Sequence, residues 1–229
     1  MGRLDGKVAI VTGAGSGFGA AIADGFVSEG AHVLVADIAV TNGLDIVKEI
    51  QAKQGNTGGS ATFVEFNVTK RSDWEKGLEL AKSKFGKLDI VVNNAGTTYK
   101  KQPSVEVAEA EFDKILAVNV KSIYLSVSVI MPYFVEQKSG VYLGTSSVAG
   151  TRVRPGQVFY GGTKGFMNTV SRYNTSAKSA SKSFILTLVK GHSRISCGIW
   201  PCRCPCELHL PPSGSYRIAG DVQRCSRYA

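Results

Sequence analysis

A glycine-rich turn between a strand-like and a helix-like segment constrains the fold of this chain more than any other feature. The run KVAIVTG at residues 7–13 is rich in β-branched residues, and FGAAIADGFVSEG at 18–30 carries apolar residues at helical spacing. The stretch TGAGSGFG at 12–19 joins them. A strand that enters a helix through such a turn indicates a dinucleotide-binding βα unit, because backbone N–H groups at the helix start can bind phosphate.

The alternation of strand and helix patterns continues along the chain. Further strand patterns occupy residues 31–37, 61–68, 87–96 and 140–147. Further helix patterns occupy residues 41–55 and 71–86, and two more lie within 105–137, with AVNV at 117–120 between them. Repeated units of this size predict a parallel sheet covered on both faces. Right-handed crossovers then give an α/β, doubly wound, Rossmann-type fold.

The glycines of the turn each have a predicted role. Gly13 permits the tight turn, Gly17 lets the backbone approach a pyrophosphate, and Gly19 allows close packing of the helix. Ser16 lies in the same loop and belongs to the same predicted cofactor site.

Asp37 ends the second predicted strand, 18 residues after Gly19. A carboxylate at this place can accept hydrogen bonds from the adenosine ribose and would repel a 2′-phosphate, so it favours NAD over NADP. The alternative is that Asp37 caps the helix predicted at 41–55.

Five motifs together resemble the classical short-chain dehydrogenase/reductase family in order and spacing. They are TGAGSGFG, NNAG at 93–96, Asn119 in AVNV, Ser147 in TSSVAG and YGGTK at 160–164. Ser147 and Tyr160 are 13 residues apart, as in that family. The resemblance covers residues 4 to about 171.

The resemblance implies a catalytic set made of Asn119, Ser147, Tyr160 and Lys164. Tyr160 would be the general acid/base, and a free tyrosine needs help in this role because its pKa is about 10. Lys164 lies one helical turn further on, would favour the phenolate and would hold the nicotinamide ribose. Ser147 would bind the substrate oxygen, and Asn119 would bind a water that links Lys164 to solvent.

The resemblance also implies the cofactor and the reaction. Asn67, Val68 and Asn94 match positions that line the adenosine and ribose, and Tyr160 and Lys164 also belong to the implied cofactor site. The expected activity is an NAD-preferring oxidoreductase that interconverts a secondary alcohol and a ketone of a small molecule by hydride transfer.

Most of the net positive charge and all five cysteines lie in the last quarter of the chain. Residues 1–170 hold 18 Lys and Arg against 16 Asp and Glu, whereas residues 171–229 hold 9 against 2. The nearly neutral first part argues against a nucleic-acid partner.

No run of about 18 apolar residues exists, so we expect no membrane span. The start of the sequence lacks the apolar core of a signal peptide, so we expect a cytoplasmic protein.

The sequence divides into two parts near residue 171. Residues 1–171 form the predicted NAD(P)-binding domain, and 172–229 form an atypical basic tail rich in Cys, Pro and Ser. FILTLV at 184–189 could be one strand, but ISCGIWPCRCPCELHLPP stands where the family has its sixth strand and following turn. We therefore expect a fold truncated or altered after the fifth strand, through a frameshift or a retained non-coding segment, or through genuine divergence of the tail.

The tail bears on metal binding, activity and assembly. The run PCRCPCELH lacks the second ligand pair of a structural zinc site, so no metal is predicted. The family pairs into homo-oligomers through helices near 105–137 and 159–175, and the tail interrupts the second of these. The alternative function is a non-catalytic remnant that binds nucleotide weakly or folds poorly because the substrate region is missing.

Overall fold

The structure, a computed structural model, describes residues 2–53, 55, 58–152, 154–173 and 183–190. Six parallel strands form one sheet. They are β1 (Val8–Thr12), β2 (His32–Asp37), β3 (Ser60–Glu65), β4 (Ile90–Asn93), β5 (Gly140–Ser147) and β6 (Ser183–Lys190). The α-helices are α1 (Gly17–Ser28), α2 (Val40–Lys53), α3 (Arg71–Phe85), α4 (Glu109–Leu116), α5 (Ser122–Glu136) and α6 (Val158–Tyr173).

The order of the strands confirms the predicted doubly wound sheet. The strands lie in the order β3-β2-β1-β4-β5-β6, all parallel. The chain moves outward from β1 to β3 and then returns to the other side of β1 with β4. In such sheets the reversal opens a crevice at the carboxyl ends of the strands, which is where ligands bind.

Helices bury both faces of the sheet, which explains why the strands read as continuous apolar runs. All five residues of β1 are buried. On one face, Ile10 packs in a cluster with Trp74 of α3 and Phe134 of α5. On the other face, Val11 packs in a cluster with Phe26 of α1. Packing on both faces holds the sheet rigid, and the sheet in turn positions the loops at its carboxyl edge.

The segment AVNV was predicted to separate two helices, and in the structure it does not. Residues Ala117–Lys121 form a π-helical turn that joins α4 directly to α5. A π turn inserts one residue into a continuous helix and redirects its side chains, and such turns are frequent at functional sites. Here it buries Asn119.

The joined helix Glu109–Glu136 is long and apolar enough to cross a membrane by length and composition alone. Its contacts are those of a core helix. Ile123, Ile130 and Phe134 are buried, and Ser126 bonds within the fold to Tyr142 of β5. Ile130 and Phe134 belong to the hydrophobic cluster that packs on one face of the sheet.

The sixth strand corrects the sequence analysis. The strand suggested by FILTLV is confirmed, since β6 pairs with β5 from Gly140↔Ser183 to Ser147↔Lys190. The expectation that the later run rich in Cys and Pro would stand in place of the sixth strand was wrong, because β6 already occupies that place beside β5. Apolar and β-branched residues favour pairing with an open edge, and prolines do not. The later run lies outside the described residues.

Candidate active site

The glycine turn after β1 forms a cradle at the amino end of α1. Gly13 and Gly17 have φ of +63° and +54°, which side-chain-bearing residues rarely adopt. A Cβ at Gly19 would collide with the Gly13 carbonyl oxygen, whereas a Cβ at Gly17 would meet nothing within 4 Å. Ser16 precedes the helix, and its exposed side chain makes no capping bond. This combination of open space and a helix amino terminus fits a pyrophosphate.

Asp37 closes one side of the cradle. Its Oδ2 accepts a hydrogen bond from the Gly15 N–H at 2.8 Å, and its Oδ1 accepts one from the Ala39 N–H at 2.9 Å. Ala39 directly precedes α2, so Asp37 also orders the entry to that helix, as the alternative interpretation required. The carboxylate is thus held at the carboxyl end of β2 by neutral donors.

Asn94 is hydrogen-bonded to the backbone of the glycine turn. Its Nδ2 donates to the carbonyl oxygens of Thr12 and Gly13 at 3.0 and 3.3 Å. Its Oδ1 accepts from Thr145 Oγ1 at 3.2 Å. Asn94 was predicted to line the cofactor, and the structure places its amide in contact with the turn and with β5. It therefore ties together the two halves of the sheet at the crevice.

Thr12 is a site residue that sequence reasoning missed. Its buried Oγ1 accepts from the N–H groups of Asn94 and Ala95 at 3.0 and 3.1 Å and donates to the Val92 carbonyl at 3.2 Å. The available signal was a hydroxyl residue directly before Gly13, at the end of an otherwise apolar strand.

Asn67 and Val68 form a fixed turn after β3, next to the strand that carries Asp37. Asn67 Oδ1 accepts from the N–H and Oγ1 of Thr69 at 3.0 and 2.7 Å. Val68 is buried, and its carbonyl accepts from Trp74 Nε1 at 3.0 Å. Both predicted residues therefore lie on the Asp37 side of the crevice.

Lys164 and Tyr160 lie one turn apart on α6, on the other side of the crevice. The side chain of Lys164 is buried, and its Nζ donates to the Thr145 carbonyl at 2.9 Å. The same Nζ lies 5.8 Å from the centroid of the Tyr160 ring. Ser146 Oγ donates to the Lys164 carbonyl at 3.0 Å, which fixes α6 against β5.

Asn119 connects the π turn to the same helix. Its amide makes a two-way bond with the Thr97 backbone, with both distances 2.8 Å, and Nδ2 also donates to Thr163 Oγ1 at 3.1 Å. Thr163 Oγ1 donates in turn to the Tyr160 carbonyl at 2.7 Å. Sequence reasoning missed Thr97 and Thr163, although Thr163 stands beside Lys164 in YGGTK.

Gly96 marks the point where these groups converge. A Cβ at this position would lie 3.3 Å from Lys164 Nζ and 3.4 Å from Asn119 Oδ1. The structure therefore brings Asn119 and Lys164 to one place, at the end of the NNAG segment. A side chain at residue 96 would fill the space between them.

Ser147 ends β5 and caps the short 3₁₀ turn Val148–Gly150. Its Oγ accepts from the Ala149 N–H at 3.2 Å. The turn lies directly against α6, because a Cβ at Gly150 would stand 2.7 Å from the carbonyl carbon of Lys164. This contact sets Ser147 in a fixed position relative to the helix.

A metal site is not apparent within the residues that the structure describes, since no group of three or more His, Cys, Asp or Glu there could hold an ion. The cysteines at 197–206 lie outside the described residues.

The comparisons with known proteins agree with this arrangement. The family model described as short chain dehydrogenase matches residues 7–191, so the chain belongs to the short-chain dehydrogenase family. The match passes residue 171, at which we expected the resemblance to end, and it includes the whole of β6.

Two curated relatives illustrate the family. The 4-formylbenzenesulfonate dehydrogenase TsaC1/TsaC2 of Comamonas testosteroni is 40% identical over 170 residues, which are 74% of this chain and 66% of the relative. The 3-oxoacyl-acyl-carrier-protein reductase FabG of Thermotoga maritima is 36% identical over 162 residues, 71% of this chain and 64% of the relative. The chain thus spans less than two thirds of the length of these relatives.

Solved structures share the fold. The 3-ketoacyl-(acyl-carrier-protein) reductase of Brucella melitensis complexed with NADH has a TM-score of 0.74 and 36% identity, covering 82% of this chain and 77% of its own. A metagenomic short-chain oxidoreductase in complex with NADP has a TM-score of 0.75 and 28% identity, covering 82% and 84%. These neighbours support a nicotinamide cofactor for the cradle described above.

Proposed function

We propose that this chain is an NAD-preferring oxidoreductase that interconverts a secondary alcohol and a ketone of a small molecule. The observation that carries the proposal is the convergence of Lys164 and Asn119 at Gly96, with Tyr160 one helical turn away and the glycine cradle across the crevice. When bound, the nicotinamide cofactor supplies the acceptor or donor of the hydride. The glycine turn, Asp37 and Lys164 are the groups that would hold it.

Tyr160 exchanges the proton of the substrate oxygen in this proposal. In the oxidation, its phenolate oxygen takes the hydroxyl proton while the hydride leaves the adjacent carbon, and the reduction reverses both transfers. The ammonium group of Lys164 lies 5.8 Å from the centroid of the Tyr160 ring, one helical turn away. Asn119 acts through Thr163 by holding the backbone of Tyr160 in place.

Ser147 is oriented to donate to the substrate oxygen. A serine hydroxyl has one proton and two lone pairs. One lone pair accepts the Ala149 N–H, so the proton is left to donate to an oxygen on which charge develops. A preorganised donor of this kind stabilises the transition state more than the ground state.

Turnover separates the proposed enzyme from a non-catalytic member of the family. The purified full chain is assayed with NAD and a panel of secondary alcohols, alongside NADH titration by fluorescence. Replacing Tyr160→Phe should lower kcat by roughly 10²- to 10⁴-fold while NADH still binds saturably. Tyr124→Phe, at an exposed position on α5, is the matched control. Saturable NADH binding without any turnover would support the non-catalytic alternative instead.

Asp37 carries the proposed preference for NAD. Its carboxylate is fixed at the end of β2 and would repel the additional phosphate of NADP. Titration with NADH and NADPH should show tighter NADH binding, and Asp37→Asn should reduce that preference by roughly tenfold. Asp24→Asn, which removes an exposed carboxylate of α1, should leave it unchanged. Equal affinity of the unmodified chain for the two cofactors would contradict the proposal.

A further inference from the structure

Two loops at the carboxyl edge of the sheet carry cations and no carboxylates. The first follows β4, and the second runs from β5 to α6. The sequence contains no Asp or Glu between Asp89 and Glu106, and none between Glu136 and the end of α6. Four basic side chains on these loops are exposed: Lys100, Lys101, Arg152 and Arg154. We call these four residues the basic rim.

The basic rim takes no part in the ion pairs of the described residues. Six such pairs are present there, and all lie on helices or at the opposite edge of the sheet. The carboxylate of Glu111 on α4 accepts a hydrogen bond from the neutral amide of Gln102, in the first loop, at 2.9 Å. Within the described part of the chain, the rim therefore keeps its positive charge uncompensated.

The two loops are joined into one wall. The Gln102 N–H donates to the Gly156 carbonyl at 3.2 Å. A Cβ at Gly156 would lie 2.7 Å from Lys101 Cγ, so the stem of that lysine rests on the second loop. The cations of both loops thus belong to a single surface.

This wall adjoins the proposed catalytic helix. Tyr99 is buried next to Lys100, and its hydroxyl oxygen accepts from the Phe159 N–H at 3.2 Å. Phe159 directly precedes Tyr160. The Arg152 N–H donates to the Val148 carbonyl at 2.8 Å, in the turn that Ser147 caps. Each loop is therefore anchored within a few residues of the groups proposed to act on the substrate.

We propose that the basic rim recognises a carboxylate on the substrate, so that the ketone or alcohol is part of an anionic molecule such as a keto acid. The inference rests on the proposed function of the Tyr160 site. Cations that line a cleft raise the local concentration of an anion and favour its bound state. Each exposed ion pair changes an equilibrium by roughly 1.5- to 5-fold, so a few together give about tenfold.

The test compares matched charged and neutral ketones. Binding of levulinate, a longer keto carboxylate and the methyl ester of each is measured by calorimetry, with and without NADH. We expect the carboxylates to bind about tenfold more tightly than the esters, and the difference to shrink in high salt. The variant with all four rim residues changed to Gln should lose the difference. The control variant Lys70→Gln/Lys76→Gln removes exposed cations at α3 and should keep it.

The outcomes distinguish this inference from the proposed function. Carboxylate-selective binding without turnover would support carboxylate recognition by the basic rim and contradict the proposed oxidoreductase activity. Turnover of ester and acid with equal kcat/KM, or equal binding of the two, would overturn the rim and leave the reaction intact. Binding of polyglutamate but of neither keto carboxylate would also overturn it, because the partner would then be an acidic polypeptide.

Discussion

The two edges of the sheet differ in how their charged groups are paired. At the amino edge, Asp89 accepts from the Val8 N–H at 2.9 Å and pairs with both Lys7 and Lys87 at 3.5 and 3.3 Å. Arg3 pairs with Glu29 at 2.7 Å beside the start of β2. These five charged groups are paired with one another within the chain.

At the carboxyl edge the contacts are mainly neutral and buried. Thr12, Asn94, Asn119 and Thr163 bond to backbone groups or to one another, and the Asp37 carboxylate is held by backbone N–H groups. A solvated ion pair contributes about 0.2–1 kcal/mol, whereas a buried group that loses its partner costs about 1–3 kcal/mol. The ion pairs of the amino edge thus add modest stability. The buried hydrogen bonds of the carboxyl edge fix the positions of the site residues, and the basic rim keeps its positive charge for a ligand. Substitutions should therefore be most damaging at the carboxyl edge.

The largest effect is expected at Gly19. Replacing Gly19→Val places a Cβ against the carbonyl oxygen of Gly13, and that backbone atom cannot move without displacing the turn. Overpacking of this kind should lower the free energy of unfolding by about 3 kcal/mol or more, a large part of the 5–15 kcal/mol of a typical domain. Urea unfolding and NADH titration measure the two consequences.

Gly25, in the same helix, provides the control for Gly19. Its Cβ position is open, so Gly25→Ala should stabilise the chain by about 0.5–1 kcal/mol through helix propensity alone. If both variants had similar stability, the close approach of the turn to α1 would not be the reason for glycine at position 19.

Tyr142 gives the next largest effect, and it depends on pH. Burial raises the pKa of Tyr142 to about 12, and hydrogen bonds with Ser126 and Asn93 oppose part of that rise. Because the fold favours the neutral phenol, its contribution is fully present below about pH 10 and is lost as the pH rises through about 12. At about 1.4 kcal/mol for each pKa unit, the loss is roughly 3 kcal/mol.

Urea unfolding across this alkaline range tests the account of Tyr142. Tyr142→Phe should be less stable than the unmodified chain near neutral pH, because Asn93 and Ser126 lose a buried partner. The two curves should converge as the pH rises. The exposed Tyr124→Phe variant should keep the full slope. Parallel curves for all three proteins would place the alkaline loss elsewhere.

The difference between the edges also explains what the sequence could predict. The alternation of patterns and the glycine turn predicted the doubly wound sheet. Burial on both faces produces continuous apolar runs, and left-handed backbone positions require glycine, so both features can be read from short segments of the sequence. The polar network did not leave such traces. The roles of Thr12 and Thr163 could not be predicted, because their partners Asn94 and Asn119 lie far away in the sequence.

The π turn was missed for a related reason, and the place of the sixth strand in the sheet was clear only from the structure. The π turn at Ala117–Lys121 buries Asn119, whose partners Thr97 and Thr163 are distant in sequence, so helical periodicity cannot reveal it. The pattern FILTLV suggested a strand, but only its pairing with the edge of β5 shows that this strand, β6, extends the sheet. Long-range contacts thus decided the elements that local patterns could not.

A smaller effect is expected at Thr163. Thr163→Val removes the hydroxyl between Asn119 and the Tyr160 carbonyl while keeping the side-chain shape. Weaker positioning of Tyr160 should raise the activation barrier by about 1 kcal/mol. This should lower kcat by roughly 5-fold and leave the Kd for NADH unchanged. Thr163→Ser keeps the hydroxyl and should restore kcat. Equal kcat for the Val and Ser variants would show that the hydroxyl does not position the helix.

The smallest effect belongs to the amino edge. The side chain and the backbone N–H of Arg3 both bond to Glu29 and hold the pKa of that carboxyl below its usual value. The stabilisation is therefore present at neutral pH and is lost as the pH falls through the lowered pKa. Arg3→Gln should cost less than about 1 kcal/mol at neutral pH in urea unfolding, and nothing at a pH acidic enough to protonate Glu29. Because Arg3 lies at the edge opposite the crevice, NADH affinity should not change; a changed affinity would mean that the two edges are coupled through the sheet.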